Sequence, residues 1–211
     1  MTLLPRPRAD RVAYDESVFI NCPFTADYAD VLRAYVFAAM YCGLRPRCAR
    51  EADDGGENRL DKIFRILRGC RWSIHDLSYV GLDPASGVAR FNMPFELGLS
   101  LAVQRLASNA RDQQCVIFEA EAHKTKQCLS DISGQDCRVH DRSPQTIVRE
   151  VRDWLRTARG QPLPGAEAVG EKFNLFEADY PATCVALHLD PQAIVFVDLC
   201  EIIRGWLAEN G

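Results

Sequence analysis

The sequence lacks the features that mark membrane-spanning and secreted chains. It contains no run of about 18 apolar residues, so we expect no segment that crosses a bilayer. Residues 1–10 carry arginines and prolines but no apolar stretch of signal-peptide length, which predicts a flexible leader over residues 1–14. We therefore expect a cytoplasmic protein.

Paired cysteine motifs are also missing, although the chain has nine cysteines. The number is odd, no two cysteines have CxxC spacing, and several lie inside apolar runs. Free cysteine in such a run behaves as a small hydrophobic residue, and dense disulfides belong to short secreted chains. The pattern predicts free thiols in a reducing compartment.

The familiar nucleotide and catalytic motifs are absent. The chain has no GxGxxG, no P-loop and no GxSxG, and its four histidines lack metal-ligand spacing. The formal net charge of −4 does not favour general nucleic-acid binding. These absences disfavour Rossmann dehydrogenases, P-loop enzymes and α/β-hydrolases, and we expect no resident cofactor and no metal.

What is present is an alternation of apolar strands and amphipathic helices. This order predicts an α/β fold: a doubly wound, flavodoxin-like parallel sheet of about five strands over residues 15–160. After the linker 160–165 we expect a small C-terminal helical extension at 166–211, with a capping box at Asp198–Glu201. The predicted strands lie at 18–20, 44–49, 72–77, 114–120 and 138–140, and the clearest helices at 27–41, 58–69, 91–102 and 143–159.

Polar residues collect where the predicted strands end, and parallel strands bring those ends to one edge. Glu96, placed in the first turn of its helix, is expected to stay ionised through the helix dipole. Gly98 in the same helix costs about 1 kcal/mol against alanine, which predicts close packing against a strand. The residues expected to converge at this crevice are Asn21, Asp76, Ser78, Asp83, Arg90, Asn92 and Glu96.

Each of these residues also has a purely structural interpretation. Glu96 is a common kind of residue at a helix start, Asp76 and Ser78 suit a turn or cap, and Asp83 followed by proline suits a turn. His75 is expected to pack behind the site. The other histidines, including His140, are interpreted as isolated.

Three segments resemble a known superfamily. Ile74-His-Asp-Leu-Ser78 and Phe91-Asn-Met-Pro-Phe-Glu-Leu-Gly-Leu-Ser-Leu-Ala102 are similar to the strand end and helix of bacterial TIR-like and nucleoside 2-deoxyribosyltransferase-like proteins. Val18-Phe-Ile-Asn-Cys-Pro-Phe24 resembles their first strand and substrate loop. The resemblance spans about residues 15–160.

The resemblance implies cleavage of an N-glycosidic bond, with Glu96 acting at the anomeric carbon. Substrate-binding roles fall to Asn21, Pro23, Phe24, Asp76, Ser78, Asp83, Arg90 and Asn92. The implied substrate is NAD, releasing nicotinamide, or a related nucleoside or nucleotide. An antiviral defence role, with self-association or an activating partner, is also implied.

Two alternatives remain open at this point. TIR-like domains can bind a nucleotide signal or assemble with like domains without turnover. They can also act purely as scaffolds. The sequence alone does not distinguish these from the enzyme.

Overall fold

A five-stranded parallel sheet organises the chain in a computed structural model, which describes residues 13–82, 87–106, 112–191 and 193–210. The strand order is β2-β1-β3-β4-β5, which is the flavodoxin-like order. This confirms the predicted α/β class. The strands are β1 (Ser17–Asn21), β2 (Arg45–Arg47), β3 (Trp72–Asp76), β4 (Gln114–Glu119) and β5 (Cys137–Val139).

The helices follow the predicted alternation. They are α1 (Ala29–Tyr41), α2 (Arg59–Arg68), α3 (Asn92–Leu106), α4 (Lys124–Cys128), α5 (Pro144–Arg159), α6 (Ala166–Ala186) and α7 (Phe196–Asn210). No helix in the described residues is long and apolar enough to cross a membrane.

The central strands are enclosed along their whole length. Every residue of β1 and of β3 is buried. Ile20 of β1 pairs with Ile74 of β3, and Ile74 in turn pairs with Val116 of β4. Strands buried on both faces, with apolar residues at paired positions, are typical of parallel sheets.

Local sequence signals set several helix ends. The Asn58 side chain accepts hydrogen bonds from the backbone N–H groups of Leu60 and Asp61, which caps α2. Ser143 caps α5 by accepting from the N–H of Thr146 at 3.2 Å, as the sequence predicts. Gly160 ends α5 with a φ of 65°, a left-handed conformation that favours glycine.

The contact pattern divides the chain into two compact units. The sheet unit comprises residues 1–23 and 47–141, and the helical unit comprises residues 24–46 and 142–211. Each of these units joins two separate stretches of the chain. The predicted division cuts the chain into 15–160 and 166–211, and it stays a prediction.

Two apolar clusters form the core of the sheet unit. One gathers Phe19 of β1 with residues of α2, and the other gathers Leu77 and Ile117 with residues of α3. The members from α2 are Ile63, Ile66 and Leu67, and those from α3 are Met93 and Leu97.

The helical unit is built around an aromatic cluster. The Phe37 ring of α1 lies 5.3 Å from the Phe173 ring and 5.2 Å from the Phe176 ring of α6. Trp206 of α7 closes the cluster at 6.1 Å from Phe37. Arg33 of α1 binds the Glu177 carboxylate of α6 through two hydrogen bonds of 2.7 and 2.8 Å.

One predicted helix start is wrong. The capping-box spacing of Asp198 and Glu201 predicts a helix beginning after Asp198, but α7 begins at Phe196 and contains both residues. Asp198 therefore lies within the first turn, where a carboxylate is favourable to the helix dipole without acting as its cap.

Candidate functional site

The sheet reverses its strand order between β1 and β3, and such switch points open a crevice at the carboxyl ends of the strands. Asn21 is the last residue of β1, and Asp76 is the last residue of β3. The topology therefore brings two predicted site residues to the edge where α/β proteins bind their ligands.

Two hydrogen bonds, one from Asn21 to Met93 and one between Ser73 and Ser100, hold α3 over this switch point. The Asn21 amide nitrogen donates to the Met93 carbonyl at 2.9 Å and contacts His75 Nδ1 at 3.0 Å. One turn beyond Glu96, the hydroxyls of Ser73 and Ser100 lie 3.2 Å apart. The anchors on either side fix the stretch of helix that carries Glu96.

Glu96 itself is a buried carboxylate with little to stabilise its charge. The residue is 6% exposed. Among the described residues its single charged partner is Arg59, whose Nη2 lies 3.8 Å from Glu96 Oε1, and none of them donates a hydrogen bond to the carboxylate. Burial raises the pKa of Glu96 to about 7, and Arg59 limits that rise.

This environment corrects two expectations about Glu96. Because α3 begins at Asn92, Glu96 lies in the second turn, and the first turn contains no acidic residue. The helix dipole falls off beyond the first turn, so desolvation outweighs it. At neutral pH the carboxyl is therefore balanced between its charged and neutral forms.

Asp76, by contrast, is surrounded by hydrogen-bond donors. Its Oδ1 accepts from the Ser78 N–H at 2.9 Å and from the Ser78 hydroxyl at 2.5 Å. His140 Nε2 lies 3.2 Å from Asp76 Oδ2 and 3.1 Å from the Ser78 hydroxyl. This three-residue group, the Asp76 network, shapes the turn after β3 and ties it to the residue that follows β5.

Cys22 lies among the site's charges as a neutral thiol. Burial raises its pKa well above the usual range, and the negative charges of Asp76 and Glu96 raise it further. Arg50 acts in the opposite direction. A thiol held in this way is a poor nucleophile, because the thiolate is the reactive form.

His75 lies in the core behind the site, as its position next to Asp76 on the opposite face of β3 predicts. It is completely buried, and burial lowers its pKa to about 3, so the ring is neutral. Its Nδ1 contacts the Asn21 amide, while its Nε2 is buried without a hydrogen-bond partner in the described residues. The ring supports Asn21 from within the core.

The remaining predicted residues have different positions. Asn92 begins α3, is exposed, and shares a helix face with Glu96 four residues later. Pro23 is buried, and Arg90 places its guanidinium 5.4 Å from the ring centre of Tyr79. Phe24 is half-buried and belongs to the helical unit, and Asp83 lies outside the described residues.

Sequence reasoning missed two residues at this site. Arg59 is the first residue of α2, and nothing in its local pattern signals a contact with α3. The sequence pattern indicates an isolated histidine at position 140, yet His140 contacts Asp76 from a position 62 residues beyond Ser78. Only the strand order, which sets β5 at the end of the sheet after β4, brings it within reach.

The expected reason for Gly98 is also wrong. Gly98 is exposed, and a Cβ added to it would meet no atom within 4 Å. Close packing against a strand therefore does not explain this glycine.

The chain matches no protein-family model, no curated protein and no solved structure.

Proposed function

We propose that the sheet unit cleaves the N-glycosidic bond of NAD or a closely related nucleotide, with Glu96 as the working carboxylate. The observation that carries the proposal is the state of Glu96: it is buried beside the switch point, with one guanidinium 3.8 Å away as its ionic partner. A strongly perturbed carboxyl at a crevice is a typical candidate for a catalytic group.

The chemistry required of Glu96 is stabilisation of positive charge at the sugar. As the C1′–N bond breaks, its electron pair leaves with the base, and the sugar becomes oxocarbenium-like. An ionised Glu96 would face this centre or bond to it covalently. Water then adds at C1′ and releases its proton, so the products are nicotinamide, ADP-ribose and a proton.

The rest of the site favours a pyridinium leaving group over a neutral base. Nicotinamide in NAD carries a positive charge and departs neutral, so no general acid is needed. A second carboxylate, Asp76, already accepts hydrogen bonds from Ser78 and faces His140. Within the described part of the crevice, Glu96 is left as the carboxylate free for chemistry.

The biological role belongs to the same proposal. NAD cleavage in the cytoplasm of an infected bacterial cell would deplete the cofactor and act as an antiviral defence. Such an effector would be triggered by self-association or by an activating partner. The resemblance to TIR-like proteins supports this role.

The test is nicotinamide release from NAD by wild-type protein and by Glu96→Gln. We expect the substitution to reduce the rate about a thousandfold or more, since it removes the negative charge that the transition state requires. Wild-type activity should rise between about pH 6 and about pH 8, because the ionised form is needed and the pKa of Glu96 is about 7. Clustering on a multivalent tag provides the activated state.

A matched control variant makes the result interpretable. Glu57→Gln changes a half-buried carboxylate in the same unit, which pairs with Arg65 at 2.9 Å, and should leave the rate unchanged. Wild-type protein that binds NAD when clustered but releases no nicotinamide would instead support the alternative, a nucleotide-binding module. Equal rates for wild type and Glu96→Gln would reject Glu96 as the catalytic group.

A further inference from the structure

The helical unit contains a groove that the proposed function does not use. It lies between the end of α6 and α7 and has a volume of about 510 Å³. Its apolar lining includes Leu187, Leu189, Ile202 and Trp206. Leu187 is 53% exposed, so the groove presents apolar surface to solvent.

Every charged residue that lines this groove is acidic. Asp198, Glu201 and Glu209 all belong to α7. Among the described residues, none of the three carboxylates forms an ion pair or a hydrogen bond. An apolar surface edged by unpaired charges of one sign is complementary to a partner that carries the opposite sign.

The spacing along α7 defines the partner further. Asp198 and Glu209 are eleven residues apart, which is about 16 Å along a helix. Glu201 and Gly205 lie between them on the lining face, beside Ile202 and Trp206. A helix laid along α7 would meet acidic groups near both ends and apolar groups between them.

Gly205 provides an independent observation. It lies in the middle of α7, where glycine disfavours a helix relative to alanine. Apart from the neighbouring residues and backbone of α7 itself, no atom of the described chain lies within 4 Å of a Cβ added to Gly205, so packing against other parts of the chain does not require glycine. The missing side chain keeps the groove open at its centre.

We propose that this groove is a docking site for an amphipathic helix of a partner protein, with apolar side chains flanked by lysines or arginines about three turns apart. The aromatic cluster holds the floor in place, since Trp206 Nε1 donates to Asp179 Oδ2 at 2.9 Å and packs on Phe176. The inference does not depend on the function of the sheet unit.

The test uses a labelled synthetic 18-residue peptide of leucine and lysine with helical spacing, titrated into the full chain by fluorescence anisotropy. A peptide with glutamate in place of lysine is the charge control. We expect Gly205→Leu to weaken binding at least tenfold without lowering Tm, because it fills the groove from an exposed helix position. Gly98→Leu, at another helical glycine with open space beside it, should bind as wild type does.

A second variant tests the charges. Asp198→Asn with Glu209→Gln should weaken binding about tenfold and reduce its dependence on salt, whereas Glu167→Gln with Glu171→Gln on α6 should change neither. Equal binding of the glutamate peptide, or unchanged binding by Gly205→Leu, would overturn the proposal. Self-association of the wild type that Gly205→Leu abolishes would also overturn it, because the occupant would then be a second copy.

Discussion

Asp76 and Glu96 are two buried carboxylates at one sheet edge, yet their surroundings are opposite. Asp76 is completely buried and accepts two hydrogen bonds from Ser78 while facing His140. Glu96 has a guanidinium at 3.8 Å and no hydrogen-bond donor among the described residues. A carboxylate that is fully bonded builds the site, and one left under-bonded is available to a substrate.

The largest expected effect comes from removing the well-bonded carboxylate. Asp76→Ala should lower the free energy of unfolding by about 3 kcal/mol, because it leaves the half-buried donors of Ser78 and the buried ring of His140 without their partner. Urea denaturation measures the change. A loss below about 1 kcal/mol would mean that the Asp76 network does not stabilise the fold, and the contrast with Glu96 would fail.

Glu96→Gln should raise the free energy of unfolding at high pH, whereas Asp76→Ala lowers it. The pKa of Glu96 is raised from its ordinary 4.5 to about 7, so below about pH 4.5 the carboxyl is neutral in folded and unfolded chains alike. As the pH rises from there to about 7, the unfolded chain gives up its proton first, and wild type loses stability. Glutamine avoids this loss.

We therefore expect Glu96→Gln to be more stable than wild type by about 2 to 3 kcal/mol at pH 8, and by less than about 1 kcal/mol at pH 5. Urea midpoints at the two pH values measure the difference. A constant difference between wild type and variant would show that the pKa of Glu96 is not raised. Combined with lost activity, a gain in stability would be the trade-off typical of a functional residue.

The smallest effect is expected at Ser78. Ser78→Ala removes one hydroxyl from the Asp76 network and should lower the free energy of unfolding by about 1 kcal/mol. In the double variant with Asp76→Ala, the loss of unfolding free energy should be smaller than the sum of the two single losses, since both substitutions remove the same hydrogen bond. Full additivity would show that the two side chains act independently.

The contrast between Asp76 and Glu96 also shows which parts of the fold and the site could be predicted from the sequence. The strands at β1, β3 and β4 were predictable because buried parallel strands are short apolar runs, and Ser143 with Pro144 marked the start of α5. Asn21 and Asp76 were predictable at the edge because each ends a clear strand, whereas Glu96 lies one turn further into its helix than the sequence predicts. Helix position alone did not predict the chemistry of Glu96, since its pKa depends on burial.

The sequence did not predict the contacts that the two carboxylates receive from other elements of the fold. His140 and Arg59 reach Asp76 and Glu96 across the sheet unit, and contacts of that kind depend on strand order and helix packing. The predicted close packing of Gly98 against a strand was wrong, because a glycine has no side chain whose character indicates its surroundings. In each case the missing information was tertiary.

The distribution of the thiols offers an experimental handle on this chain. None of the nine cysteines, all of which the structure describes, forms a disulfide, and Cys128 is the exposed one, so a thiol-reactive probe should modify it first. The sheet unit buries Cys22, Cys48 and Cys70, and the helical unit buries Cys42, Cys184 and Cys200. Since a buried thiol reacts only when its surroundings open, labelling rates read by mass spectrometry would report the opening of each unit separately. The protein thus carries its own reporters of local unfolding, and a nucleotide or peptide that slows one set alone would reveal which unit it binds.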